Sequence, residues 1–303
     1  MAHTEITLPD GAESALTSSP IAPAPSHWTN KSADPNDQQA IADRAAILSA
    51  AWRPSVPNRS DFICSRVTGR RVLDIGCVAH DIERIKSPDW LHRRIAQTAE
   101  SCLGLDVLDD GVAKMRALGF DVISHDLRNG PGPLRARGPF QVIVAGEVIE
   151  HVGSLDMLFE TAASELTVDG ELILTTPNPY APARVRAGRE GAVWENVDHI
   201  AYAFPSGVAE LASRHGLVLT EAFTTEPARR VFPGPFTWLK RTIRKQHWHR
   251  RGFATTAGKV RPVRLDRRDA LDWLQARLSA KASSKHQFLG ETFIYVIQRD
   301  TLL

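Results

Sequence analysis

The 303-residue chain is poor in cysteine, with Cys64, Cys77 and Cys102 its only three. An odd number without paired metal-ligand spacing excludes a disulfide framework and predicts a reducing compartment. Long hydrophobic runs are missing too: none approaches the roughly 18 apolar residues of a membrane-crossing helix. Met1 to Ser26 has neither a basic stretch nor an apolar one, so it does not read as a secretory signal. Net charge is nearly absent, with 37 Lys and Arg against 35 Asp and Glu. What is present is an apolar fraction of 43%, enough to bury a core and exclude wholesale disorder. At roughly 100–200 residues per domain, the length allows one large domain with additions or two small ones. These features predict a cytoplasmic globular protein.

Residues 1–33 are rich in Pro, Ser, Thr and Ala and have no apolar period, which predicts a disordered leader. The remainder, 34–303, reads as one domain: a helical cap over 34–67, a core over 68–225, an insertion over 226–288 and a last strand over 289–303. In the cap, residues 34–52 offer capping groups and the apolar positions Ile41, Ala45, Ile47 and Leu48, predicting a helix that stops before Pro54. In the core, strand-like and helix-like segments alternate. Strands are predicted at 70–77, 102–107, 120–127, 140–150, 170–178 and 217–223, and helices at 87–101, 109–119, 154–166 and 206–216. Ser87 as N-cap and Pro88 at the first helical position mark the start of the 87–101 helix. This alternation predicts an α/β doubly wound, mostly parallel seven-stranded sheet. Wholly apolar strand centres, Val142 to Val144 and Leu172 to Leu174, fit strands covered on both faces.

Sheets of this kind bind ligands beyond the carboxyl ends of their strands, so those ends hold the informative residues. The first strand ends in Asp74-Ile75-Gly76-Cys77, where glycine permits a sharp turn and close approach to a ligand. The second ends in Asp106, suited to accept hydrogen bonds from both hydroxyls of a ribose. The third ends in Asp126, able to accept from an exocyclic amine. The fourth runs into Glu147-Val148-Ile149-Glu150-His151, and the fifth ends in Thr176-Pro177-Asn178.

With these residues in register on five strands, VLDIGC, LGLDV, AGEVIEHV and DGELILTTPN resemble the motifs of class I S-adenosylmethionine-dependent methyltransferases. The resemblance is closest to the branch of ubiquinone-type O-methyltransferases and bacterial glycan and natural-product methyltransferases. It covers about residues 68–225 and the final strand. It implies a Rossmann-like fold and S-adenosyl-L-methionine as cofactor. It also implies that Gly76, with Asp74 and Cys77, approaches the methionine part. Asp106 would hold the ribose, Asp126 would lie near the adenine, Val107 and Leu127 beside them would contact the cofactor, and Gly146 and Glu147 would line the cofactor beside the substrate. One departure stands out. The family's three alternating glycines are reduced to Gly76-Cys77-Val78-Ala79-His80, and the following insert delays the helix. Two readings stay open: a reshaped lip with His80 and Trp90 to His92 near the ligands, or a fold kept without cofactor binding.

Glu147, Glu150 and His151 are spaced E-x-x-E-H, which in a turn would place ligand-capable groups on one side. Asp198 and His199 lie further along. Glu147, Glu150, His151 and His199 make a candidate site for Mg²⁺, Mn²⁺ or Zn²⁺. The set resembles two metal-using branches of the fold, the ubiquinone O-methyltransferases and the small-RNA terminal ribose methyltransferases. Without metal, His151 or His199 is the candidate general base for a hydroxyl acceptor.

Residues 229–268 hold thirteen Lys and Arg against one acid, Asp266, with Phe232, Phe236, Trp238 and Trp248 interleaved. The near-neutral total is therefore an average of a +12 segment and an acidic remainder. The segment reads as a contact for an anionic membrane surface, as a clamp for an anionic substrate, or as a solvated face. Together these readings point to O-methylation of a glycan or natural-product small molecule. An RNA ribose 2′-O-methyltransferase and a non-catalytic methyltransferase-like scaffold remain as alternatives, the nucleic-acid reading weakened because no separate RNA-binding module is found.

Overall fold

The computed structural model describes residues 32–79, 82–189, 191, 196–225 and 290–300. His80 and the basic segment 229–268 therefore lie outside the described residues, as does nearly all of the leader. In chain order the elements are α1 (Gln38–Ala51), α2 (Arg59–Val67), β1 (Arg71–Ile75), α3 (Leu91–Thr98), β2 (Ser101–Asp106), α4 (Asp109–Ala117) and β3 (Val122–Ser124). They continue with β4 (Phe140–Gly146), α5 (Asp156–Glu165), β5 (Leu166–Pro177), α6 (Pro182–Arg189), α7 (Pro205–Arg214), β6 (Leu217–Thr224) and β7 (Thr292–Arg299).

One seven-stranded sheet carries them in the order β3-β2-β1-β4-β5-β7-β6. The first five run parallel, and β7 slots antiparallel between β5 and β6. The expected doubly wound, mostly parallel architecture is thus present. Its central strands are buried on both faces. Leu73, Ile143, Leu172 and Leu174 pack with α5 and α7 on one side, while Val72, Val142, Val144 and Ile173 pack with Ile63, Val67 and Ile95 of α2 and α3 on the other. At roughly 1.5–3 kcal/mol for each fully buried aliphatic side chain, these two layers supply most of the drive to fold.

Local chemistry explains the element boundaries. Asp37 caps α1 by accepting from the Gln39 amide at 2.7 Å. Asn58 caps α2 by accepting from the Asp61 amide at 3.0 Å. Helix α3 corrects the sequence reading: it begins at Leu91, not at Pro88. Ser87 instead receives the Asp89 amide in a turn that follows a 3₁₀ segment at Ile82–Lys86. The third strand is shorter than expected, since Asp126 caps a 3₁₀ turn at Leu127–Asn129 by accepting from the Arg128 amide.

At the sheet edge, β6 and β7 are fastened just beyond their ends. The Thr225 amide donates to the Thr292 carbonyl at 3.1 Å, and Asn178, just after β5, donates its main-chain amide to the Glu291 carbonyl and its side-chain amide to the Gly290 carbonyl. Among the described residues, no helix is long and apolar enough to cross a membrane.

Candidate functional site

Strand register brings the informative residues into one row. Ile75 lies opposite Leu105 of β2 and Ala145 of β4, so Gly76, Asp106 and Gly146 leave the sheet side by side. Gly76 has φ +71°, and a Cβ there would come within 2.4 Å of the Val148 side chain, so glycine is required on both counts. The reduced glycine loop is accommodated by a second glycine: Val78, where the family pattern has glycine, packs against Gly111 of α4. A Cβ on Gly111 would lie 2.4 Å from Val78.

Asp106 is almost wholly buried. Its carboxylate accepts the Val78 amide at 2.9 Å on one oxygen and the Leu108 amide at 3.0 Å on the other. Each oxygen retains a second lone pair, so the group ties the β1 loop to β2 and still has capacity for a diol. Beside it Val107 and Leu108 are exposed apolar side chains, a surface suited to the face of a planar base. Asp126 does not stand open. It is held by Arg128 in an exposed ion pair at 2.6 Å that keeps its carboxyl below the usual range. An ion pair this open to solvent is weak, so a ligand amine could displace it cheaply. Leu127 and Cys77 are buried, and burial pushes the Cys77 thiol far above its ordinary pKa.

Asp74 is also committed inward. Its carboxylate meets the His92 ring at 2.8 Å, and both side chains are buried. In the Trp90 to His92 stretch, Trp90 and His92 pack with Phe120 in a buried aromatic cluster, and Leu91 lies against Gly146, where a Cβ would come within 3.1 Å of its side chain.

At the end of β4 the chain takes an uncommon turn. Glu147 has φ +59°, the single non-glycine residue with positive φ among those described. Such strain persists only where neighbours over-determine it. Here the Glu147 amide donates to the carbonyl and hydroxyl of Thr175, while its carboxylate accepts from the Thr175 hydroxyl and pairs with Arg59 at 3.0 Å. Arg59 also donates to the Thr175 hydroxyl. Sequence reasoning missed Arg59, which sits in the first turn of α2. The Pro57-Asn58 start signal and the Asn58 cap were the available clue to that helix.

The four candidate metal residues separate into three and one. Ligand atoms of Glu150, His151 and His199 lie within 4.8 Å of one another, and Glu147 is drawn away toward Arg59. Glu150 is fully buried. One of its oxygens accepts from Thr176 at 3.1 Å; the other, Oε1, has no hydrogen-bond partner. Burial, then the nearby Glu147 charge, raises its pKa to about 7. The His151 ring crosses that of His199 at a centroid distance of 4.7 Å, and its Nδ1 lies 3.2 Å from Asp198. The Ile200 amide anchors this loop to the Glu150 carbonyl. An orphaned buried carboxylate oxygen beside two imidazoles is a donor set that fits a divalent cation with an open position.

The chain is similar to several known proteins. A family model described as a methyltransferase domain matches residues 28–222. A ubiquinone biosynthesis O-methyltransferase from Shewanella halifaxensis is 25% identical over 187 residues, 58% of this chain and 75% of that protein. Among solved structures, a S-adenosylmethionine-dependent methyltransferase from Mesorhizobium loti aligns at 15% identity over 80% of this chain and 99% of its own, with a TM-score of 0.42. The O-methyltransferase from the trans-AT PKS multienzyme of Brevibacillus brevis, in complex with S-adenosyl-L-homocysteine, aligns at 16% identity over 93% of this chain and 84% of its own, with a TM-score of 0.42. A glycine turn, a ribose-suited acid and a polar fourth-strand end, in register on a sheet of this order and matched over most of the core, lead to one assignment: the chain belongs to the methyltransferase domain family, with the class I, S-adenosylmethionine-dependent fold.

Proposed function

We propose that the protein transfers a methyl group from S-adenosylmethionine to a hydroxyl of a small-molecule acceptor, a glycan or a natural product. The observation that carries this reading is the convergence of Glu150, His151 and His199 beside the strand ends that bear Gly76, Asp106 and Gly146. In this reading Asp106 holds the ribose, Val107 and Leu127 border the adenine with Asp126, and Gly76 lets the methionine part approach. Arg59, a guanidinium at the same edge, suits the methionine carboxylate.

The acceptor oxygen attacks the methyl carbon as the sulfur–methyl bond breaks, and the sulfonium becomes a neutral thioether. The hydroxyl proton must leave as this happens, and a neutral imidazole is the group suited to take it near pH 7. Asp198 favours the proton on Nδ1 of His151, leaving Nε2 as the base. If a divalent ion binds Glu150, His151 and His199, it lowers the pKa of the acceptor hydroxyl and orients it. The three cysteines are free, consistent with a cytoplasmic location. The basic segment 229–268 suits an anionic membrane surface or an anionic acceptor.

Calorimetry with S-adenosylhomocysteine, followed by methyl transfer to a panel of sugars, phenols and RNA 3′ ends, tests the reading. We expect saturable binding and turnover on a hydroxylated small molecule. His151→Ala should lower kcat by roughly 10²–10⁴-fold at unchanged cofactor affinity. Absence of cofactor binding would sink the enzyme reading in favour of a scaffold. Turnover surviving complete metal stripping would remove the metal from it.

A further inference from the structure

Beyond the histidine cluster, a cleft of about 420 Å³ opens between α1, the loop after β5 and the start of α7. That volume lies within the range of small-molecule sites. It is lined by Leu48 and Trp52 from α1, Tyr180 from the loop, and Phe204, Pro205 and Ser206 at the α7 start. Tyr180 and Phe204 are 53% and 40% exposed, their rings 5.9 Å apart. Tyr202 extends the aromatic run, its ring 6.4 Å from Phe204.

We infer that this cleft is the acceptor subsite and that it takes a flat, hydrogen-bond-poor ring system with a hydroxyl at its edge, not a sugar. The inference rests on the methyltransferase reading above and chooses between the acceptors that reading leaves open. Two observations carry it.

The first is continuity. Tyr180 follows Thr176, the hydrogen-bond donor to Glu150, by four residues, and Phe204 follows His199 by five. At no more than about 3.6 Å per residue, Tyr180 is within roughly 14 Å of Thr176 and Phe204 within roughly 18 Å of His199. The segments that carry His199 and Thr176, the partner of Glu150, therefore also carry the aromatic walls. The loop before α7 is anchored by the Ile200 amide on the Glu150 carbonyl and by the Tyr295 hydroxyl on the Ala203 carbonyl.

The second is the chemistry of the lining. Its polar side-chain groups are the Trp52 indole N–H, the Tyr180 hydroxyl and the Ser206 hydroxyl, with no carboxylate or amide among the six. A sugar brings several hydroxyls to each face, and this lining offers few partners for them. A planar apolar ring makes no such demand, and it gains stacking on the aromatic side chains.

The test uses the full-length protein saturated with S-adenosylhomocysteine, with 2-naphthol and methyl α-glucoside as probes in calorimetric titrations. Variants Phe204→Ala and Tyr180→Ala remove exposed rings. Phe204 sits before α7 without a side-chain capping bond, so its truncation leaves the helix start intact, as circular dichroism should verify. We expect 2-naphthol to bind at least tenfold tighter than the glucoside, and either substitution to weaken it about tenfold. S-adenosylhomocysteine affinity should stay within twofold. Equal 2-naphthol binding by wild type and both variants overturns the inference. So does a glucoside that binds as tightly, or the failure of both probes to bind. The separate S-adenosylhomocysteine titration keeps the two claims apart: a wild-type protein that does not bind it defeats the methyltransferase reading, and the acceptor assignment falls with it.

Discussion

A carboxyl group shut away from water resists losing its proton, and Glu150 is so placed, with one oxygen on Thr176 and the other unpartnered. Its pKa of about 7 in the fold lies above the ordinary 4.5. Between those values the native protein holds a proton that the unfolded chain has released. Stability should therefore be greatest at the acid end of this window and fall as pH rises toward 7, by on the order of 2–3 kcal/mol if fully expressed. In Glu150→Gln, melting followed from pH 4.5 to 7.5 with a chelator present should lose that slope; an unchanged slope would show that Glu150 is not its source. Part of this was legible in sequence, because E-x-x-E-H spacing marks the segment. The parting of Glu147 from its neighbours was not. It follows from a left-handed backbone and from Arg59, some ninety residues earlier in the chain, and neither leaves a local pattern. Asp106 was legible for the opposite reason: it ends an apolar run, and strand ends are periodic signals.

At the scale of elements, α3 shows how a long-range contact overrides a good local start signal. Ser87-Pro88 has the chemistry of a helix beginning, yet the helix starts at Leu91. His92 is fixed to the buried Asp74 of β1, and Trp90 and His92 pack on Phe120, so residues 87–90 are left as a turn. Helix α2 is the converse case, with a working cap in Asn58 but only a short apolar pattern to announce it. The contrast can be measured. Asn58→Ala should cost about 1 kcal/mol, a typical loss for an N-cap, whereas Ser87→Ala should stay below about 0.5 kcal/mol. Urea denaturation of the two variants provides the comparison, and an equal or larger loss at Ser87 would contradict it. The strands, by contrast, were read to within a few residues, because burial on both faces demands unbroken apolar centres such as Val142 to Val144.

For the whole molecule, the near-neutral composition conceals an acidic body and one concentrated basic segment between β6 and β7. Those two strands are adjacent and antiparallel, and Thr225 and Thr292 fasten them where the intervening sequence departs and returns. Closing a loop costs only about 0.6 kcal/mol more for each doubling of its length, so the sheet is nearly indifferent to what is inserted there. Replacing residues 226–289 with a two-residue Asn-Gly turn should therefore leave the melting temperature within about 5 °C, whereas a chain that no longer folds would make the insert part of the core. The edge then works as a socket: the strand ends that bear Gly76, Asp106 and Gly146 lie away from it in the sheet, and sequence can be exchanged at β6–β7 without disturbing them. A lineage carrying this fold can in this way rewrite the segment at one edge while leaving that row of strand ends as it is.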